Sequence, residues 1–438
     1  MPRALLPRAE SKLKQAPVHV LLRGLVLAAL ISLPLIGSAA SANLASITDF
    51  GAVGDGLTLN TEAIQRAVDQ LASKGGGTLA VPKGVFRSGA IFLKPGVNLQ
   101  LEEGAVLQGS SDRKDYPIGR TRIEGHFEEW LPALVNADHC DHLSITGPGV
   151  LDGNGAPFWA EFLERRAANS KTTNLDVPRP RLAFIQNSDD VQISAVNFRN
   201  TAFWNLHLYM CKNVTVQSCL FETPERVRCP SSDGCDLDSC QSVTIRSCTF
   251  RVDDDCVCLK GTKGPFALED KESLPVEHIR VSACAFERGH GVLTLGSEAT
   301  VVRDVVVENC KVGGSINLVR LKLRPDTPQL YEDIHYRGIA LDGEGTIFEV
   351  QPWKQYFDLK GQPPPHSIVR NLTASNIHGR YGAFGTLAGN PGQTEIRDIT
   401  LDNIDVQLTN DELEAVDVTN LQIEKVMVNG QPLVVKKK

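Results

Sequence analysis

The chain predicts an all-β fold, a right-handed parallel β-helix with a capping helix at its N-terminal end. Three observations carry this. A short apolar pattern recurs at solenoid spacing from Leu143 onward. The intervals leave almost no room for a helix between strands. The clearest helical segment lies before the repeats, where a stacked β-structure needs a cap.

Residues 1–42 read as a leader. Arg3, Arg8, Lys12, Lys14 and Arg23 precede the apolar run "GLVLAALISLPLI" (24–36), and Ala40, Ser41 and Ala42 form an A-x-A cleavage pattern. Basic, apolar and small in that order is a secretory signal. The run holds Pro34 and is too short to span a bilayer comfortably. Cleavage removes a net charge of +4, so the formal charge of -7 becomes -11. The expectation is a single domain over residues 43–438, secreted or periplasmic, with no membrane attachment after cleavage. A chain this acidic does not read as a nucleic-acid binder.

The helix falls in "NTEAIQRAVDQLASKGGG". Asn60 or Thr61 is the N-cap, Ala63, Ile64, Ala67, Val68 and Leu71 form one apolar stripe, and Gly75 ends it. A helix here covers the open edge of the first coil.

The repeat reads apolar, x, apolar, x, x, apolar or Cys, x, apolar. It runs from "VQISAVNF" at Val191 through "VTVQSCLF", "VTIRSCTF", "IRVSACAF", "VVVENCKV", "IHYRGIAL", "LTASNIHG" and "ITLDNIDV" to "LQIEKVMV" at Leu421. Successive starts lie 23, 29, 36, 26, 29, 38, 27 and 22 residues apart. Each unit is a short alternating strand, a turn often holding Asn or Gly, and a second strand. Coils then stack at about 4.8 Å.

Cys219, Cys248, Cys284 and Cys310 hold one position in their repeats and should form an interior ladder. Zinc needs tetrahedral convergence, which a linear ladder does not give. The chain has 11 cysteines, so one at least stays unpaired in a monomer, and Cys229, Cys235, Cys240, Cys256 and Cys258 leave room for one disulfide.

Asp233 and Asp254 are 21 residues apart, close to the shortest coil, and Asp255 follows directly. Neighbouring coils would bring them within about 5 Å. Crowded carboxylates repel, and the one that keeps its proton has a raised pKa. That is the acid-and-base pairing glycoside hydrolysis uses. Asp236, Asp238 and Asp253 read as turn or surface residues.

At these positions the chain resembles the polygalacturonase family of pectin-degrading glycoside hydrolases. "SSDG" (231–234) resembles that family's Asn-Thr-Asp-Gly motif, and "DDC" (254–256) its Asp-Asp motif. "GHG" (289–291), followed by "TLGS", and "RLK" (320–322) resemble its Gly-His-Gly and Arg-Ile-Lys motifs. They occur in the family's order, and the likeness spans residues 47–406. The resemblance implies inverting hydrolysis of α-linked galacturonosyl bonds by a monomer, without metal or cofactor. It makes Asp254 the general acid, Asp233 and Asp255 the residues that position and activate water, and His290 the group that tunes the acid. Arg320 and Lys322 would meet the substrate carboxylate, with Ser231 beside them. The implied partner is an acidic polysaccharide or oligosaccharide of the galacturonan or pectin type.

The departures bear on substrate. Ser231 and Ser232 replace Asn and Thr, and "GSEAT" places Glu298 near the site. Phe286 stands where the family often carries a cysteine, so no disulfide from Cys256 is expected. Loops 260–275 and 351–367 are long and shape the binding face, where they would wall off one end of the cleft and favour attack on chain ends. Trp353, Tyr356 and Phe357 either stack on a sugar or pack the loop down. A rhamnogalacturonan hydrolase is the alternative within this class. A calcium-dependent pectate lyase and a non-catalytic carbohydrate binder are the remaining two.

Overall fold

The computed structural model describes residues 43–355 and 357–438. The leader and Tyr356 lie outside the described residues. Among those described, no helix is long and apolar enough to cross a membrane.

A total of 33 strands join one hydrogen-bonded system that winds as a parallel β-helix. The repeat starts define its register. Val214 pairs with Val243, Val243 with Ile279 and Ile279 with Val305. The column continues through Ile334, Leu372, Ile399 and Leu421 without a slip. One cause is visible at the corner before each start. Asn213, Ser242, His278, Asp304, Asp333, Asn371, Asp398 and Asn420 all have φ between 52° and 59°. Small polar side chains tolerate this left-handed turn, so it recurs where each strand begins.

The interior is laddered. Cys219, Cys248, Cys284 and Cys310 are buried one above the next. The Cys248 Sγ lies 3.7 Å from the Val216 carbonyl oxygen one coil below. Two residues further along each repeat, Phe198, Phe221, Phe250 and Phe286 stack with centroids 4.8, 4.9 and 5.0 Å apart and nearly parallel planes. Cys211 and Cys240 continue the same device at another corner, with Sγ atoms 3.5 and 3.4 Å from carbonyls of the preceding coil. All cysteines are buried free thiols, so the room left for a disulfide is not used.

Helix α1, Thr61–Ser73, buries the five residues read from its stripe and packs on the first coils. Asn60 occupies the cap position but its side chain does not cap. Its Oδ1 accepts from the Val53 amide at 2.7 Å and its amide donates to the Arg87 carbonyl, tying the chain that enters the helix to the first coil.

A second helix, α2 (Ala156–Ala168), carries no clear stripe in sequence. It follows the strand Val150–Asp152 and buries Phe158, Trp159 and Phe162. A hairpin, Gly119–Ile123 with His126–Trp130, stands outside the coils as a separate two-stranded sheet. Both pack beside the strands of the acid cluster, α2 through Phe162 under Arg179 and the hairpin through Arg122 on Asp238. The reading of Asp236 and Asp238 as turn or surface residues is wrong. They sit in the strand Cys235–Asp238 and are 0% and 1% exposed, because the hairpin covers that face.

Candidate active site

Four strands set the site: Cys235–Asp238, Val257–Lys260, Gly291–Leu295 and Asn317–Leu323. Cys235 pairs with Val257, Val257 with Leu293, and Leu293 with Val319. The coil step at the acids is therefore 22 residues. It aligns Asp233 with Asp255, while Asp254 stands one position earlier. Backbone bonds fix this: Gly234 N donates to Asp255 O and Cys256 N to Gly291 O, both at 2.9 Å. Two glycines make the approach possible. A Cβ on Gly234 would stand 2.5 Å from the Cys256 carbonyl oxygen, and one on Gly289 would stand 2.5 Å from the Cys256 sulfur.

Asp255 is buried and fully partnered. It accepts from Arg320 Nη1 at 2.6 Å, Lys322 Nζ at 2.7 Å and Thr294 Oγ1 at 2.7 Å. Burial pushes its carboxyl up, but the Lys322 and Arg320 charges outweigh burial and hold it far below the carboxylate range. Arg320 also reaches Glu349. Both cations expected to meet substrate are thus engaged with acids of the protein.

Asp254 faces outward. Its Oδ1 lies 3.0 Å from His290 Nδ1. Burial raises Asp254, yet the imidazole outweighs it and keeps the carboxyl below its ordinary value. Reciprocally, the Asp254 charge lifts His290 to about 9. The pair holds a proton jointly, mostly on the ring.

Asp233 behaves in the opposite sense. Burial, then the Asp236 and Asp254 charges, push it well above the carboxylate range. Asp236 is pushed up to about 7 by burial. Both lie 3.4 Å from the single ammonium of Lys260, so the two acids share one cation and retain a proton between them. The raised pKa expected of the acid cluster thus falls on Asp233 and Asp236, not on Asp254.

Ser231 adopts φ 60° and lines the same cavity. Its hydroxyl bonds Asn174 Oδ1 at 3.2 Å and Arg179 Nη2 at 3.3 Å. Arg179 donates to the Pro230 carbonyl at 2.7 Å and lies between the rings of Phe162 and Phe203. It fixes the turn that presents Asp233. Sequence reasoning missed it, as it missed Lys260, since neither lies in a motif used there. Of the three loop aromatics, Trp353 lines the cavity with Lys322 5.0 Å from its ring, whereas Phe357 is exposed.

Asp233, Asp255 and Cys258, and separately Asp254, Asp255 and His290, come close enough to hold a metal ion. Asp255 belongs to both sets and is already neutralised by two cations. The set therefore fits a metal poorly.

The cavity is about 280 Å³. On the side of the preceding coil His207 and Tyr209 are buried, with Phe127 of the hairpin 5.7 Å from the Tyr209 ring. Glu124, at the hairpin tip, lines the cavity and accepts from Asn174 at 2.9 Å.

A parallel β-helix bearing an acid–imidazole pair beside two further carboxylates fits the acid-and-base chemistry of a glycoside hydrolase, and the family match shows that class. The chain belongs to Glycosyl hydrolases family 28, which matches residues 74–429. A probable polygalacturonase of Vitis vinifera is 31% identical over 77% of this chain and 70% of its own length. The exo-poly-alpha-D-galacturonosidase of Dickeya chrysanthemi is 28% identical over 60% of this chain, which spans about half (49%) of that enzyme. In structure, the exopolygalacturonase of Thermotoga maritima superposes with a TM-score of 0.70, covering 89% of this chain and 92% of its own, at 24% identity. That likeness shows the same fold.

Proposed function

We propose that the chain is a secreted galacturonan hydrolase that removes single residues from a chain end with inversion. The observation that carries the reading is the Asp254–His290 pair beside Asp233 and Asp255 in one cavity, to which the hairpin tip contributes Glu124. Family membership and the exo-acting relatives support it.

Asp254 protonates the leaving glycosidic oxygen, drawing on the proton it shares with His290. Asp255, locked as a carboxylate by Arg320 and Lys322, orients the attacking water. Asp233 receives its proton once its own has moved to Asp236. Direct attack by water on the face opposite the protonated oxygen, with no glycosyl-enzyme intermediate, gives inversion. A wall at the hairpin side admits one terminal sugar and excludes a continuing chain.

The test is incubation with polygalacturonate and with rhamnogalacturonan, following product length by chromatography and the first anomer by NMR. Galacturonate monomer released as the β-anomer is the expected result. Mixed oligomers, an α-anomeric product or an unsaturated product absorbing in the ultraviolet would each overturn it. Release only from rhamnogalacturonan would move the substrate to that polymer.

A further inference from the structure

The catalytic acids stand at the entry of the strands Cys235–Asp238 and Val257–Lys260. The far wall of the same cavity lies past the exit of these strands. It is built by Lys260, Lys263, Glu298, Trp204 and, from the hairpin tip, Glu124.

Lys263 differs from Lys322 in the same cavity. Its Nζ lies 3.7 Å from Glu298 Oε1 and 3.8 Å from Glu124 Oε2. These separations attract but exceed hydrogen-bond range. Lys322, by contrast, donates to Asp255 at 2.7 Å. The Lys263 ammonium therefore keeps its three donors for an incoming acceptor. Glu298 is held as a carboxylate, because the Lys263 and Lys260 charges outweigh its burial. Trp204 forms the floor, with Lys260 Nζ 4.4 Å from its ring. Lys260 in turn lies 3.4 Å from Asp233. Asp233 and Lys263 line one cavity, so the sugar under attack and the Lys263 ammonium share that space.

We infer that Lys263 receives the carboxylate of the terminal galacturonosyl residue, while Glu124 and Glu298 accept its hydroxyls. This rests on the chain-end reading above. The sugar so held is the one whose anomeric carbon is attacked, so cutting proceeds from the non-reducing end. A neutral terminal sugar leaves the ammonium with only its two distant carboxylates, and the wall discriminates against it.

The experiment compares wild type with Lys263→Ala and Lys263→Arg on trigalacturonate and on a trimer whose non-reducing residue is methyl-esterified. One charge-assisted contact corresponds to about 10- to 100-fold. Wild type should prefer the free acid by that factor. Lys263→Ala should abolish the preference, mainly through KM, and Lys263→Arg should restore part of it. Calorimetry with D-galacturonate and D-galactose on the Asp254→Asn enzyme gives the same comparison without turnover. Wild-type hydrolysis with an undiminished acid preference in Lys263→Ala, or equal loss on both trimers, would overturn the inference. A wild type that cleaves neither trimer yet binds galacturonate selectively through Lys263 would overturn the proposed reaction and leave the inference standing.

Discussion

Arg122 and Asp238 are 116 residues apart in sequence and meet in a buried ion pair, Nε to Oδ2 at 2.9 Å. Each is 1% exposed at its side chain. The same guanidinium donates to the Gly261 carbonyl at 2.7 Å, and Arg181 holds the Arg122 carbonyl at 2.7 Å. This pair pins the hairpin to the strand Cys235–Asp238. Arg122→Ala leaves Asp238 buried without its main partner, so stability should fall by about 3–5 kcal/mol in denaturant titration. Replacing both, with Met at 122 and Leu at 238, should recover most of that loss. If the pinned hairpin seals the cavity, Arg122→Ala should also release dimers and trimers from polygalacturonate. Monomer alone from a folded variant would argue that the hairpin does not set product length.

The Asp254–His290 pair carries a pH signature. Gaining a carboxylate partner raises the folded-state pKa of His290 from its ordinary 6.5 to about 9. Its contribution to stability is complete below the unfolded value and is lost as pH rises through about 9. The ring's exposure keeps that contribution small. The catalytic consequence is larger. Hydrolysis should decline on the alkaline side with a midpoint near 9, tracking loss of the shared proton. NMR titration of the ring should show the same midpoint in wild type and a return toward 6.5 in Asp254→Asn. An imidazole that titrates near 6.5 in both would show that the two groups do not share a proton.

The thiols give a direct count. All 11 cysteines are buried and free, and burial pushes Cys235, Cys256 and Cys258 well above their ordinary value. Thiolate is the reactive form, so none should react with a disulfide reagent in the native enzyme. All should react once the chain is unfolded in denaturant. Fewer than 11 under unfolding conditions would reveal a disulfide.

What sequence could show depended on whether the cause was local. The eight aligned repeat starts from Val214 to Leu421 were legible because one buried column fixes one side-chain period. The stripe from Ala63 to Leu71 was legible for the same reason. Asp233, Asp254, Asp255, His290, Arg320 and Lys322 were legible from motif order, and the structure brings all six to one cavity. The step of 22 residues, which aligns Asp233 with Asp255, depends on where the strands begin. The burial of Asp236 and Asp238 was hidden because the cover arrives from residues 119–130, more than a hundred positions upstream. Arg179 escaped for a similar reason. Its partners Pro230 and Ser231 lie two coils away, and nothing local distinguishes it from a surface arginine.

Asp236 allows the sharpest test of the buried charges. With a folded-state pKa of about 7, against an ordinary 3.8, it keeps its proton where the unfolded chain has lost it. Between those values the folded state binds more protons, so stability falls as pH rises from about 4 to 7 and then levels. Asp233, raised by burial beside it, acts in the same sense. Asp236→Asn cannot ionise, so part of this slope should disappear. At pH 4 the variant and wild type should differ little in this respect. By pH 8 their difference should have moved in favour of the variant by about 2–4 kcal/mol, since each pKa unit corresponds to about 1.36 kcal/mol. Urea titrations of both proteins across this range provide the measurement. Parallel curves would mean that Lys260, 3.4 Å from both acids, already neutralises the pair, and that Asp236 is ionised throughout.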